Sequence, residues 1–176
     1  MSNVAYLSTS NMNQYFSHSS VNTSKDEFKA VKVSALRYLA RREYSRVELY
    51  RKLSQKFSAA EAIQRVLDEM QEQGYQSDTR FTECYIRAKV NAGNGPFKIK
   101  IELREKGICE STALAAFDRQ AVDWLALAQA VVDKKFANQQ AETEEEQLLL
   151  LSKKIRFLKN KGFYKEHIDE AVKMYC

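Results

Sequence analysis

The residues that could perform nucleophilic or metal chemistry are few and far apart in this chain of 176 residues. The two histidines, His18 and His167, are too widely separated to indicate a His-paired nucleophile or a two-histidine metal site. Cys84, Cys109 and Cys176 form neither a C-x-x-C pair nor an even disulfide framework, which indicates a reducing compartment. No stretch fits the G-x-x-x-x-G-K-[ST] phosphate loop. The sequence therefore predicts no catalysis, no cofactor and no metal site.

Charged side chains give a more specific indication, because basic and acidic blocks alternate along the chain. The net charge is +7 over residues 29–57, +4 over residues 80–108 and +4 over residues 152–176. The intervening blocks, residues 58–79 and 109–151, carry net charges of −4 and −5. Basic helix faces of this kind would attract an acidic protein surface or a phosphate backbone. The alternative is a set of solvated faces with no partner.

The elements that position these charges are predicted to be helices. Only 5 Gly and 1 Pro accompany 44% hydrophobic and 29% charged residues, which excludes collagenous, disordered and turn-rich β classes. The S/T-x-x-E spacing of a capping box begins at Ser24, Ser45, Ser58 and Thr143, and predicts four helix starts.

Other local signals divide the middle of the chain. Gly74 is predicted to end the third helix, Asp78 to cap the fourth, and Pro96 to occupy the first turn of the fifth. Apolar and charged residues alternate over residues 97–103, which is the period of a strand. We nevertheless predict a helix there, because of Pro96, the lack of a partner strand and an internal repeat.

The repeat relates three segments that lie ~50 to 55 residues apart. Leu49-x-x-x-Leu53-x-x-Lys56 is echoed by Ile99-x-x-x-Leu103-x-x-Lys106-Gly107, and more weakly by Leu158-x-x-Lys161-Gly162. The sequence thus predicts an all-α protein of three tandem three-helix repeats, forming an elongated, curved array. The predicted divisions are a disordered N-terminal tail over residues 1–24 and repeats over residues 25–78, 79–122 and 123–176. The tail lacks the cationic start of a secretory signal.

Three longer motifs are specific enough to indicate a protein family. They are residues 41–49 (RREYSRVEL), 74–81 (GYQSDTRF) and 93–108 (GNGPFKIKIELREKGI). In their order and spacing they closely resemble the RecX family, and residues 156–163 (RFLKNKGF) resemble its third-repeat signature. Gln76 stands where that family usually has an apolar residue.

The resemblance implies a non-catalytic regulator of the RecA recombinase that acts in DNA repair, recombination and the SOS response. Such proteins bind the RecA–DNA filament and mainly inhibit its extension, ATP hydrolysis and strand exchange. We expect a cytoplasmic monomer with no membrane segment, because the apolar run of residues 148–151 is far short of the ~20 residues that a bilayer requires.

Basic residues that recur at equivalent places in the repeats are the candidate contact residues. They are Arg42, Arg46, Lys98, Arg104, Lys106, Lys159 and Lys161. A second group is predicted to shape the motifs rather than to bind: Gly74, Asp78, Gly95, Pro96, Glu102, Leu103 and Gly107.

Two other functions stay open at this point. A general DNA-binding helical module would affect recombination indirectly, and even the RecA-binding hypothesis allows weak direct DNA contact. A nuclease has only scattered carboxylates in its favour, among them Asp78, Glu83 and Glu102, whose spacing does not require them to meet.

Overall fold

The computed structural model describes the backbone of residues 12–175 and the side chains of residues 25–175. Within that part of the chain there are nine α-helices and no strand, which confirms the all-α prediction. The helices are α1 (Met12–Leu39), α2 (Arg46–Ser54), α3 (Ala60–Glu72), α4 (Asp78–Asn91), α5 (Pro96–Glu105), α6 (Glu110–Gln120), α7 (Trp124–Phe136), α8 (Glu144–Lys161) and α9 (Lys165–Val172). A short 3-10 turn, Lys173–Tyr175, follows α9.

The first three helices enclose one hydrophobic core in a compact unit that ends at Gln76. Val31 of α1, Leu49 of α2 and Ile63 of α3 are completely buried in it. Complete burial of side chains of this size stabilises the fold by about 1.5–3 kcal/mol each. Gln76 is also buried, and its Nε2 donates a hydrogen bond to the carbonyl oxygen of Tyr44 at 3.1 Å. This buried polar residue thus joins the end of the first repeat to the turn before α2.

The second compact unit begins at Ser77 and contains two further cores, each built from three successive helices. Ile86, Ile99 and Ala116 are buried between α4, α5 and α6. Ala128, Leu158 and Ala171 are buried in the same way between α7, α8 and α9. Trp124 packs against both cores, and therefore links them at the start of α7.

Helix starts follow the predicted capping boxes at two of four places. Thr143 and Glu146 form the complete box at α8, and the Ser45 side chain accepts a hydrogen bond from the backbone N–H of Glu48 at α2. The predictions at Ser24 and Ser58 are wrong. The helix α1 already begins at Met12 and continues through Ser24, and Ala59 precedes α3 without a side-chain cap.

Residues 12–24, which belong to the predicted tail over residues 1–24, lie in α1, while residues 1–11 lie outside the described residues. The prediction for Asp78 needs correction. The cap of α4 is Ser77, whose hydroxyl accepts from the backbone N–H of Arg80, and Asp78 is the first helical residue. A carboxylate in the first turn still interacts favourably with the positive end of the helix dipole.

The second and third repeats are joined by direct backbone contact at the two glycine-containing turns. The N–H of Gly95 donates to the carbonyl of Lys161 at 2.7 Å, and the N–H of Phe97 donates to the carbonyl of Gly162 at 3.0 Å. A Cβ on Gly95 would lie 2.3 Å from the Gly162 carbonyl oxygen, and one on Gly162 would lie 2.2 Å from the Cβ of Lys98. Glycine is therefore required on both sides of this junction.

Candidate functional site

Helix α5 begins and ends at the positions that its sequence motif sets. Pro96 occupies the first turn, as predicted, where its missing N–H costs no intrahelical hydrogen bond. Gly107 follows the last turn with φ of +78°, and the N–H of Ile108 donates to the carbonyl of Leu103 at 3.1 Å. The helix is therefore held at one end by proline and at the other by a left-handed glycine.

The strand-like alternation over residues 97–103 produces two apolar faces on one helix. Ile99 and Leu103, four residues apart, are completely buried in the core of the second repeat. Phe97 and Ile101, also four apart, are 50% and 44% exposed. Because each residue advances a helix by ~100°, positions two apart lie on nearly opposite faces. The second apolar face is thus free to meet something other than the core.

The exposed face of α5 forms one wall of a groove of about 600 Å³. This α5 groove is lined by Phe97, Lys100, Ile101, Arg104, Ile108, Cys109, Glu110, Ala113 and Tyr164. The Phe97 and Tyr164 rings pack edge to face, with centroids 5.7 Å apart, so the residue before α9 supports the wall. The groove is consequently built from both the second and the third repeats.

Charged groups stand at the rim of this apolar groove. Lys100 Nζ lies 2.8 Å from Glu110 Oε1. The hydrogen bond and charge of each partner raise the pKa of Lys100 and lower the pKa of Glu110. With Arg104, the lining carries two positive charges and one negative charge. The groove therefore combines an apolar floor with a net positive rim.

Cys109 contributes a thiol to the same groove, immediately before α6. Its Sγ lies 3.3 Å from the Ser111 hydroxyl and 3.0 Å from the Thr112 hydroxyl. Hydrogen bonds from Ser111 and then Thr112 lower the pKa of Cys109 to about 7. Cys84, on α4, is also exposed.

The other charged side of α5 forms a network with α4. Tyr85 Oη donates to Glu102 Oε2 at 2.8 Å, and Lys89 Nζ lies 2.7 Å from the same oxygen. Lys106 Nζ stands 5.2 Å from the centre of the Tyr85 ring. Burial and the hydrogen bond to Glu102 raise the pKa of Tyr85 to about 12.

This network separates Arg104 from Lys106, which were predicted to share one contact face. Arg104 lines the α5 groove, whereas Lys106 lies over Tyr85 beside Glu102. Glu102 binds Lys89 and Tyr85 of α4, and therefore links α5 to α4. Lys98 extends from α5 beside Gly162, at the junction of the repeats.

The two candidate arginines of the first repeat contact groups of their own unit. Arg46 donates to Gln64 at 2.9 Å and to Asp68 of α3 at 2.7 Å. The Arg42 guanidinium lies 3.6 Å above the Tyr44 ring and 3.2 Å from Glu48. Both side chains therefore help to hold α2 and its preceding turn in place.

The two candidate lysines of the third repeat lie near the end of α8. Lys161 Nζ donates to the carbonyl of Ala92 at 3.2 Å, which adds a third hydrogen bond to the junction of repeats. Lys159 is exposed, next to Arg156 in a shallow depression of the surface. Lys154, by contrast, is buried with its Nζ 3.2 Å from the centre of the Tyr175 ring.

The residues missed by the sequence reasoning are the apolar ones, Phe97, Ile101 and Tyr164. The available signal was the alternation over residues 97–103, which in a helix indicates two apolar faces instead of a strand. Among the described residues, no group of three or more His, Cys, Asp and Glu side chains could hold a metal ion. No helix in that part of the chain has the length and apolar character needed to cross a bilayer.

Comparisons with known proteins identify relatives of this chain. The first three-helix domain of RecX matches residues 32–70, and the second matches residues 77–116. The regulatory protein RecX of Legionella pneumophila (strain Corby) is 40% identical over 140 residues, which are 80% of this chain and 91% of the relative. That of Pseudomonas entomophila (strain L48) is 37% identical over 143 residues, covering 81% and 90% of the two chains.

Solved structures show the same fold. The crystal structure of RecX from Lactobacillus salivarius matches with a TM-score of 0.69 at 22% identity, and covers 86% of this chain and 97% of that one. Another crystal structure of regulatory protein RecX matches with a TM-score of 0.74 at 20% identity, and covers 98% and 81%.

Proposed function

Because this chain belongs to the RecX family, we propose that it is a non-catalytic regulator that binds the RecA nucleoprotein filament. In this role it would mainly inhibit filament extension, ATP hydrolysis and strand exchange. The observation that carries the proposal is 40% identity over 91% of a regulatory protein RecX. The exposed cations of α5 and α8 support it, because RecA-bound DNA and acidic protein surfaces would both attract them.

The direct test adds the purified full-length protein to RecA assembled on single-stranded DNA. We expect the rate of RecA-catalysed ATP hydrolysis to fall as filaments stop growing and shorten. The protein alone should hydrolyse neither ATP nor DNA. A rate that does not change with a saturating excess of the protein would contradict the proposal.

Charge reversal tests which surface makes the contact. We expect the double variant Arg104→Glu/Lys106→Glu to inhibit ATP hydrolysis at least tenfold less potently than the unmodified protein. Lys134→Glu/Lys135→Glu on α7 changes the net charge equally at exposed residues outside the candidate set, and should inhibit normally. Circular dichroism should show unchanged helical content in both. Equal potency of the two folded variants would reject α5 as a contact surface.

The alternative, a general DNA-binding module, has the same exposed cations in its favour. The acidic blocks between the basic ones favour a protein partner, because they would repel a continuous phosphate backbone. The two functions differ in how steeply binding should weaken as salt rises.

A further inference from the structure

We propose that the α5 groove receives an apolar side chain from an acidic segment of a protein partner. The inference rests on the proposed function, in which that partner is a RecA subunit within the filament. The groove would then be the protein-binding site of this chain. Cations elsewhere on its surface would be attracted by the negative charge of the filament.

The apolar lining is preformed and remains open to solvent. Phe97 and Ile101 are half exposed although neighbouring Ile99 and Leu103 of the same helix are completely buried. Ile108 and Ala113 form a nearly buried floor below them. A groove of about 600 Å³ is large enough for one or two aliphatic or aromatic side chains.

Charge complementarity specifies the chemistry around that apolar side chain. Lys100 and Arg104 flank the groove, and Glu110 neutralises one of these two charges. An incoming carboxylate would meet Arg104, or replace Glu110 as the partner of Lys100. A segment with Asp or Glu next to Leu, Ile, Val or Phe therefore fits the groove, whereas a basic segment would be repelled.

Nucleic acid is a poorer occupant of the same groove. Binding dominated by phosphates requires several cations, but the lining of the groove has only two, Lys100 and Arg104, and Lys100 is paired with Glu110. Glu110 would also approach any phosphate placed beside Lys100. The edge-to-face contact of Phe97 with Tyr164 engages both rings with each other, which limits their use as a platform for stacked bases.

An affinity measurement with matched variants tests the proposal. We expect Ile101→Glu to weaken binding to fluorescent RecA filaments on single-stranded DNA at least tenfold. Leu148→Glu on α8 makes the same change at a residue that is 63% exposed and outside the groove, and should bind within twofold of the unmodified protein. Equal binding by both folded variants would overturn the inference but leave the proposed function intact. Failure of the unmodified protein to bind would overturn the proposed function itself.

Photo-crosslinking from Cys109, an exposed residue of the groove lining, tests the identity of the occupant. Cys84→Ser/Cys176→Ser leaves Cys109 as the only thiol, and Cys109→Ser/Cys176→Ser leaves the exposed Cys84 on α4 as the control. Each is labelled with benzophenone maleimide and irradiated on RecA filaments. We expect Cys109 to join a RecA peptide that carries a carboxylate next to an apolar residue, and Cys84 to give a much lower yield. Crosslinks to DNA, to a second copy of this chain or to a segment without carboxylates, or equal yields at the two positions, would overturn the inference.

Discussion

The thiol of Cys109 illustrates how neighbouring hydroxyls set the chemistry of one residue. Thiolate is the reactive form of cysteine, and a pKa of about 7 makes roughly half of Cys109 thiolate at neutral pH. We therefore predict that Cys109 reacts with iodoacetamide at pH 7 several times faster than Cys84. The rate at Cys109 should rise most steeply around pH 7. Peptide mapping after short exposures measures both rates, and equal rates at pH 7 would contradict the prediction.

The carboxylate of Glu102 is the centre of the network between α4 and α5. Burial acts to raise its pKa, but hydrogen bonds from Lys89 and Tyr85 outweigh burial and hold the pKa below the ordinary value of 4.5. A lowered folded-state pKa means that the stabilisation is complete above pH 4.5, and is lost as the pH falls through the folded-state value.

We therefore predict that Glu102→Gln lowers the free energy of unfolding by about 1 kcal/mol at pH 7. The difference from the unmodified protein should shrink as the pH is lowered below 4.5, because both then have a neutral side chain at this position. Urea titrations at several pH values measure it. Asp118→Asn, at an exposed position of α6, is the control and should change stability little. A difference independent of pH would contradict the role of the charge.

At the scale of elements, the contact between the turn before α5 and the end of α8 allows a sharp test of packing. Gly95 has φ of −81°, so an alanine there would be free of backbone strain but would collide with the Gly162 carbonyl. Gly74 is the reverse case, with φ of +72° and no atom within 4 Å of the place that a Cβ would occupy. Substitution of Gly95 thus tests the steric requirement for glycine, and substitution of Gly74 tests the conformational requirement.

We predict that Gly95→Ala lowers the free energy of unfolding by about 2–3 kcal/mol, as overpacking does in other rigid sites. Gly74→Ala should cost only about 1 kcal/mol, the strain of a left-handed residue with a Cβ. Thermal and urea unfolding of the full chain measure both changes. A larger loss for Gly74→Ala would contradict the structural interpretation of the junction.

Helix α5 also shows what a sequence can and cannot predict about an element. Proline at the first turn and the internal repeat were sufficient to predict a helix against the local alternation. The alternation could not show which apolar pair enters the core, because both pairs, Phe97 with Ile101 and Ile99 with Leu103, are large, apolar and four residues apart. Likewise Ser24 has the local spacing of a cap, but no local signal showed that the helix starts earlier, at Met12.

For the whole molecule, the motifs were sufficient to predict the all-α fold and the family. The composition of the candidate surface was predictable only in part. Recurrence along the chain identified basic residues, but their partners lie far away in sequence: Arg46 binds Asp68, and Lys161 binds the carbonyl of Ala92. Side chains with such internal contacts are less available to a partner than their charge alone indicates.

We predict that binding of the whole chain to RecA filaments persists at salt that abolishes its binding to naked single-stranded DNA. Phosphate-dominated binding loses several orders of magnitude in affinity between about 50 and 200 mM salt, whereas an apolar contact is far less sensitive. Fluorescence anisotropy with labelled DNA, with and without RecA, measures the two affinities across this range. A parallel loss of both would favour the general DNA-binding module.

The backbone contact between Gly95 and Gly162 restricts how such an array can change in length during evolution. A chain that gained a repeat by duplicating α4 to α6 would place a copied Gly95 against a new turn. That turn would have to carry glycine as well, because any larger residue would occupy space already filled by backbone. The copied repeat supplies that glycine itself, because Gly107 stands where the third repeat has Gly162, so an array joined in this way can lengthen by whole repeats.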